Sequence, residues 1–184
     1  MISELSTLPK IFEALSFAAI HHQYQRRGGY GRLPYINHLI KVTEVLISIG
    51  QEKEESLLLA AILHDIVEDT DVTVTQLKML FGLPVASIVE ELTDDMALPY
   101  YERKQLQVEK ARNLSVAARK IRIADKGSNM RDLMTYPIDW PLEKKQAYIV
   151  NSKQVVDQIR GENQELENWF DETVALAEKH FKLK

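Results

Sequence analysis

The run LLLAAILHDIVEDT (residues 57–70) changes character abruptly: seven apolar residues are followed at once by His64, Asp65, Glu68 and Asp69. On a helix, residues four apart share a face, so His64 stands over Glu68 and Asp65 over Asp69. An imidazole and three carboxylates at the end of an apolar helix are costly to bury unless they are paired or hold a cation. A solvated helix end would explain HD alone. The whole HDxxED cluster points instead to a cation site.

Two further residues could complete such a site. His38 lies at the start of a helix in PYINH, and Asp125 lies in the middle of the apolar stretch IRIADKGSN, where an acid needs a partner. Taken singly, His38 reads as a capping or core histidine and Asp125 as a helix acid paired with Arg122 or Lys126. Taken with HDxxED, the set His38, His64, Asp65 and Asp125 offers two imidazoles and two carboxylates, a mixed N/O donor set suited to Mn²⁺ and compatible with Mg, Fe or Zn. The chain has no cysteine, which excludes a thiolate site and a disulfide framework. His21, His22 and His180 fit no such pattern and are given no metal role.

The elements that must position these residues are helical. Apolar residues recur at helical spacing almost throughout, as at Leu8, Ile11, Phe12, Leu15 and Ala19, and period-two runs are nearly absent. A second helix is expected over about 37–49, with Val42, Val45, Leu46 and Ile49 inward and Gly50 as its stop. A third covers about 54–68. Thr73 to Gln76 has capping-box form, with Gly82 ending that short helix and Pro84 opening the next, which carries Val85, Ile88, Val89 and Leu92. Residues 94–104 break the pattern and read as a loop. Helices then follow at about 104–111, 115–134, 141–160 and 162–181. The expected fold is all-α, a single compact HD-type bundle of about eight to ten helices spanning residues 1–184. A chain of 184 residues is long enough to bury about two-thirds of its unfolded surface without staples.

Composition narrows the function classes. The net charge is −4 with acids and bases interspersed, which argues against a nucleic-acid footprint. No stretch approaches a membrane span, and the amino terminus lacks a signal-peptide pattern, so a cytoplasmic protein is expected. An anionic substrate would need positive charge supplied locally.

The ordered set H-x-x-Q-x-R (His22, Gln25, Arg27), PYINH, LHDxVEDT, TDD, ERKxxQ and ADKxxNxRDL resembles the HD hydrolase domain of the RelA/SpoT family, above all its small stand-alone members, including the animal SpoT homologues. The resemblance runs from about residue 15 to 160. It implies metal-dependent hydrolysis of the 3′-pyrophosphate of (p)ppGpp, with Mn²⁺ held by His38, His64, Asp65 and Asp125. It further implies that Glu68, Asp69 and Asn129 act around the attacking water, Glu68 as the leading base. Arg27 would pack on the nucleotide base, and Lys144 and Tyr148, one helical turn apart, would face the nucleotide pocket.

Several positions depart from the family pattern: Gly28 where a basic residue is common, Leu39 where proline is usual, Tyr100 where animal relatives carry Lys, and Gly127-Ser128 where a Leu-Tyr-like pair is usual. These departures are expected to affect base recognition or pyrophosphate affinity rather than the metal and base set. They leave two other activities in view, an HD phosphohydrolase acting on (p)ppApp or NADPH and a non-catalytic nucleotide-binding module. The family's synthetase domain has no counterpart here, so degradation alone is expected. The final helix, with Leu166, Trp169, Phe170, Val174 and Leu176, reads as intramolecular core. A homo-oligomer is left open.

Overall fold

The computed structural model describes residues 2–28 and 32–183, with backbone alone for residues 2–6. Among these, the regular structure is helical: α1 (Ile2–His21), α2 (Ile36–Ser48), α3 (Glu55–Leu63), α4 (Ile66–Asp69), α5 (Val74–Phe81), α6 (Leu83–Leu92), α7 (Tyr100–Lys110), α8 (Val116–Thr135), α9 (Leu142–Val156) and α10 (Gln164–His180). The only pairing of extended backbone described is an isolated antiparallel bridge between Arg26 and Pro34. The all-α expectation therefore holds, and no described helix is long and apolar enough to cross a membrane.

Local chemistry explains most boundaries. Thr73 and Gln76 form a reciprocal capping box at the start of α5. Gly82 ends α5 at φ 88°, a left-handed backbone that suits a residue without Cβ. Ser115 caps α8 by accepting from Ala118 N, and Asn163 caps α10 by accepting from Leu166 N.

Two expectations are corrected. The third helix is not continuous: α3 stops at Leu63, and Asp65 sits at φ −98°, ψ −2°, in the sparsely allowed bridge region. The helical ladder resumes only with Asp69 N donating to Asp65 O at 2.9 Å. His64 and Asp65 thus sit at a break between α3 and α4. Second, the expected loop at 94–104 ends early, because Pro99 presets the entry to α7 and Arg103 N already donates to Pro99 O at 3.0 Å.

α8 is the axis of the molecule, packed on α10, α2, α6 and α9, while α3 packs against α1, α2 and α6. All seven residues of Leu57–Leu63 are buried. On α1 the inward residues are Ala14 and Ala18, with Ile11 and Leu15 partly buried, whereas Leu8 and Phe12 face outward. On α10, Leu166, Trp169, Phe170 and Val174 are buried as expected, but Leu176 faces solvent. α8 and α10 approach very closely at Gly127, where a Cβ would fall 2.2 Å from Trp169 Cζ3. Glycine in mid-helix is what lets the indole lie against the α8 backbone.

Candidate active site

The break after Leu63, the first turns of α2 and the middle of α8 meet at one point. His38 and His64 are each only 3% exposed. Asp125 Oδ1 lies 3.2 Å from His38 Nε2 and 3.8 Å from His64 Nε2, and Asp65 Oδ2 lies 3.2 Å from His64 Nε2 and 3.7 Å from His38 Nε2. Donors bound about 2.1 Å from one cation stand about 3–3.5 Å from each other, so these separations match a shared ion. The donor atoms of His38, His64 and Asp65 all lie within 4.8 Å of one another.

His64 Nδ1 lies 2.8 Å from Ala61 O, which makes Nδ1 the protonated nitrogen and turns the Nε2 lone pair toward the carboxylates. A lone pair facing two carboxylates calls for positive charge between them. The electrostatics agree. Burial works against a charge on His64, yet Asp65 and Asp125 outweigh it and hold its pKa well above the usual histidine value. Burial likewise opposes ionisation of Asp65 and Asp125, but the two histidines hold both below the ordinary carboxylate range. His38 is lowered, chiefly by burial. The residues present fit a divalent cation. Asp125 pairs with neither Arg122 nor Lys126; Arg122 donates to Leu92 O and Lys126 to Gln107 Oε1.

Glu68 stands beside this cluster. Its Oε2 accepts from Asp94 N at 2.9 Å, and burial together with Asp94, Asp65 and Asp69 pushes its pKa up to about 7, near working pH for a base. Asp69 accepts from Gln25 Nε2 at 2.8 Å, a scaffold contact. Asn129 is engaged at both ends: Nδ2 donates to Asp125 Oδ1 at 2.6 Å, and Oδ1 accepts from Arg27 Nη2 at 2.6 Å. Arg27 is further fixed by Asp132 at 2.6 Å and stacks over the Tyr35 ring at 5.5 Å.

These residues open onto a cavity of about 220 Å³ that reaches from Asp65, Glu68 and Asp125 past Arg27 and Asn129 to Ile138, Trp140 and Tyr148. Of the two residues expected to face the nucleotide, Tyr148 lines this cavity. Lys144 does not; it is exposed, with Nζ 4.2 Å above Trp140 and 5.5 Å above Tyr100, at the rim. Gly28 also lines the cavity. Gly127, expected to bear on specificity, faces Trp169 away from it.

Sequence reasoning assigned no role to several residues here. Tyr35 Oη donates to Asp65 Oδ2 at 2.7 Å and stacks on His22, so the tyrosine of PYINH and the histidine of H-x-x-Q-x-R support the cluster. The lysine of ADK, Lys126, is fully buried in the wall, and burial with Lys104 and Arg122 lowers its pKa to about 7. The motif spacing contained the signal for Tyr35, three residues before His38, and for Lys126, next to Asp125, but not for His22.

Comparison with known proteins agrees with the geometry. A family model described as HD domain matches residues 14–149. The guanosine-3′,5′-bis(diphosphate) 3′-pyrophosphohydrolase MESH1 of Drosophila melanogaster is 43% identical over 171 residues, covering 91% of this chain and 96% of the fly protein. MESH1 of Homo sapiens is 42% identical over 163 residues, covering 88% and 91%. A solved structure, described as a metazoan ortholog of SpoT that hydrolyzes ppGpp and plays a role in starvation responses, matches with a TM-score of 0.87 at 42% identity, covering 91% of this chain and 94% of its own. The Listeria monocytogenes protein lmo0812 matches with a TM-score of 0.65 at 27% identity, covering 79% and 99%.

Proposed function

This chain belongs to the HD-domain family and, within it, to the MESH1 type of guanosine-3′,5′-bis(diphosphate) 3′-pyrophosphohydrolase, and from that premise we propose that it hydrolyses ppGpp to GDP and pyrophosphate. The observation that carries this reading is the meeting of two imidazoles and two carboxylates beside a cavity that is also lined by Arg27, Trp140 and Tyr148. A cytoplasmic enzyme acting on a free nucleotide belongs to the same reading.

His38, His64, Asp65 and Asp125 would hold one divalent cation, and the N/O donor set favours Mn²⁺. Bound there, such an ion supplies Lewis acidity toward a phosphoryl oxygen and eases deprotonation of a water. The rest falls to the chain's own side chains. Glu68, with its raised pKa, accepts the proton of the attacking water. Tyr35 holds Asp65 in place, and Asn129 couples Asp125 to Arg27. Arg27, immobilised by Asp132, presents its guanidinium toward the purine end. The new P–O bond forms from water to the phosphorus nearest the ribose, the bond from that phosphorus to O3′ breaks, and O3′ leaves with a proton.

The purine end is built from a guanidinium, an indole, a phenol ring and Ile138, which grip a ring by its faces. The analogue ppApp is therefore expected as a second substrate, with modest discrimination. Incubating the metal-loaded protein with ppGpp, ppApp and NADPH and separating the products tests the reading. Pyrophosphate is expected from both alarmones, with slower orthophosphate release from NADPH. NADPH as fastest substrate with no pyrophosphate from either alarmone would overturn the substrate assignment, and metal binding without turnover of any nucleotide would favour a binding module.

A further inference from the structure

We propose that Lys126, together with Lys104 and Gln107, seats the distal phosphate of the substrate's pyrophosphate and so fixes which phosphorus faces Glu68. The inference rests on the pyrophosphohydrolase reading above and adds to it the cause of the cleavage position.

α8 turns two adjacent columns of side chains toward the cavity. Asp125 and Asn129, four residues apart, form one column and belong to the imidazole–carboxylate cluster. Arg122 and Lys126, also four apart, form the next column, and all four residues line the cavity. Lys126 is 2% exposed. Its Nζ donates to Gln107 Oε1 at 2.8 Å and lies 5.3 Å above the Tyr148 ring. An ammonium has three N–H donors, and the carboxamide takes one of them.

The surrounding charges do not neutralise this wall. Lys104, Arg122 and Lys126 carry like charge and line the same cavity. Asp94 is shared among Gln107 Nε2 at 2.7 Å, Lys104 at 3.5 Å and Arg103 at 3.9 Å, and Asp125 is turned to His38 and Asn129. A lysine needed only to fill space could be replaced by an apolar residue of similar size at less cost than burying its charge. Like charges gathered in the wall of a cavity are instead suited to an anion, which relieves their repulsion.

A single phosphate needs one grip, but a pyrophosphate has two phosphates in series and can span both columns. With the distal phosphate on the lysine column, the phosphorus attached to the ribose lies at the Asp125 column in front of Glu68. Water then adds to that phosphorus, the O3′–P bond breaks, O3′ takes a proton, and pyrophosphate leaves whole. Seated the other way round, the same chemistry would release orthophosphate and leave a 3′-phosphate on the ribose.

The test compares binding of inorganic pyrophosphate and inorganic orthophosphate by calorimetry to the metal-loaded wild type, Lys126→Met and Lys104→Gln. Product analysis with ppGpp runs alongside. The seat predicts that Lys126→Met weakens pyrophosphate at least about tenfold, as loss of a charge-assisted bond implies, and orthophosphate by less than about threefold. Lys104→Gln should show the same asymmetry more weakly, and it carries the test if Lys126→Met fails to fold or to hold metal. Equal losses for the two anions, or no loss for either, would overturn the seat. A wild type that releases no pyrophosphate from ppGpp would instead overturn the reading on which the seat rests.

Discussion

The two ends of the cavity are built in opposite ways. At the histidine–carboxylate end, every donor stands on or beside a helix in the dense interior: His38 on α2, His64 and Asp65 after the fully buried Leu57–Leu63 run, and Asp125 among the buried residues of α8. Away from that cluster, the walls come from the segment around Arg27 and Gly28 and from Ile138 and Trp140 in the connection between α8 and α9. Buried helices hold donors at fixed separations, as ion binding and proton transfer require. Segments with few buried contacts open at lower free energy and can change sequence without disturbing that geometry. Of the departures, Gly28 lies in these walls, while Tyr100 stands outside the lining beneath Lys144. The comparison thus assigns chemistry to one region and substrate choice to the other, and substitutions can separate the two.

The largest effect belongs to the interior end. His64→Ala or Asp65→Asn removes a donor from the cluster, and both should abolish bound metal and turnover together while leaving helicity by circular dichroism nearly intact. Full turnover in either variant, measured as pyrophosphate released, would break the division.

Glu68→Gln should keep the metal and lower kcat by on the order of 10²–10⁴, as for loss of a general base. Its pKa near 7 also gives a pH signature. The wild-type rate should fall on an acid limb with midpoint at or below about 7, and Glu68→Gln should lose that limb. Stability has the opposite sense. A carboxyl with a raised folded pKa contributes stability that is full below its unfolded value and is lost as pH climbs through about 7, so Glu68→Gln should unfold at a higher temperature than wild type above that pH.

Gly127→Ala sharpens the comparison from the packing side. The new Cβ would meet Trp169 Cζ3 at 2.2 Å. Overpacking of about 1–3 kcal/mol, less about 1 kcal/mol of helix propensity, leaves a net loss of about 0–2 kcal/mol and a Tm lower by up to about 8 °C. Because Trp169 lies outside the cavity, KM should stay unchanged at permissive temperature. The smallest effect is expected at the rim: Lys144→Ala gives up ring contacts worth about 0.5–1 kcal/mol and should raise KM about two- to fivefold without changing kcat.

The same division governs what the sequence reveals. Helical periodicity, the Thr73–Gln76 capping box and Pro84 mark elements whose causes are local, and those elements stand where the pattern puts them. His38, His64, Asp65 and Asp125 could be singled out because each is a polar residue in an apolar context. The break at Asp65 carries no glycine or proline to mark it, and the Tyr35 hydroxyl that donates to its carboxylate lies thirty residues earlier. Arg27 meets Asp132 and Asn129 across more than one hundred residues, and Gly127 stands out in the sequence only as a departure from the family pattern, its packing role set by Trp169 some forty residues on. α7 begins early because Pro99 sets its entry, while two tyrosines and a proline in sequence read as loop.

The metal dependence is tested by stripping the protein of metal, titrating Mn²⁺ back, and following bound metal and pyrophosphate release from ppGpp in the same samples. Release should rise in proportion to bound metal and stop rising at one equivalent per chain, with no binding and no release in Asp65→Asn. Pyrophosphate release from the stripped protein at the full rate, or metal retained by Asp65→Asn at wild-type stoichiometry, would contradict it.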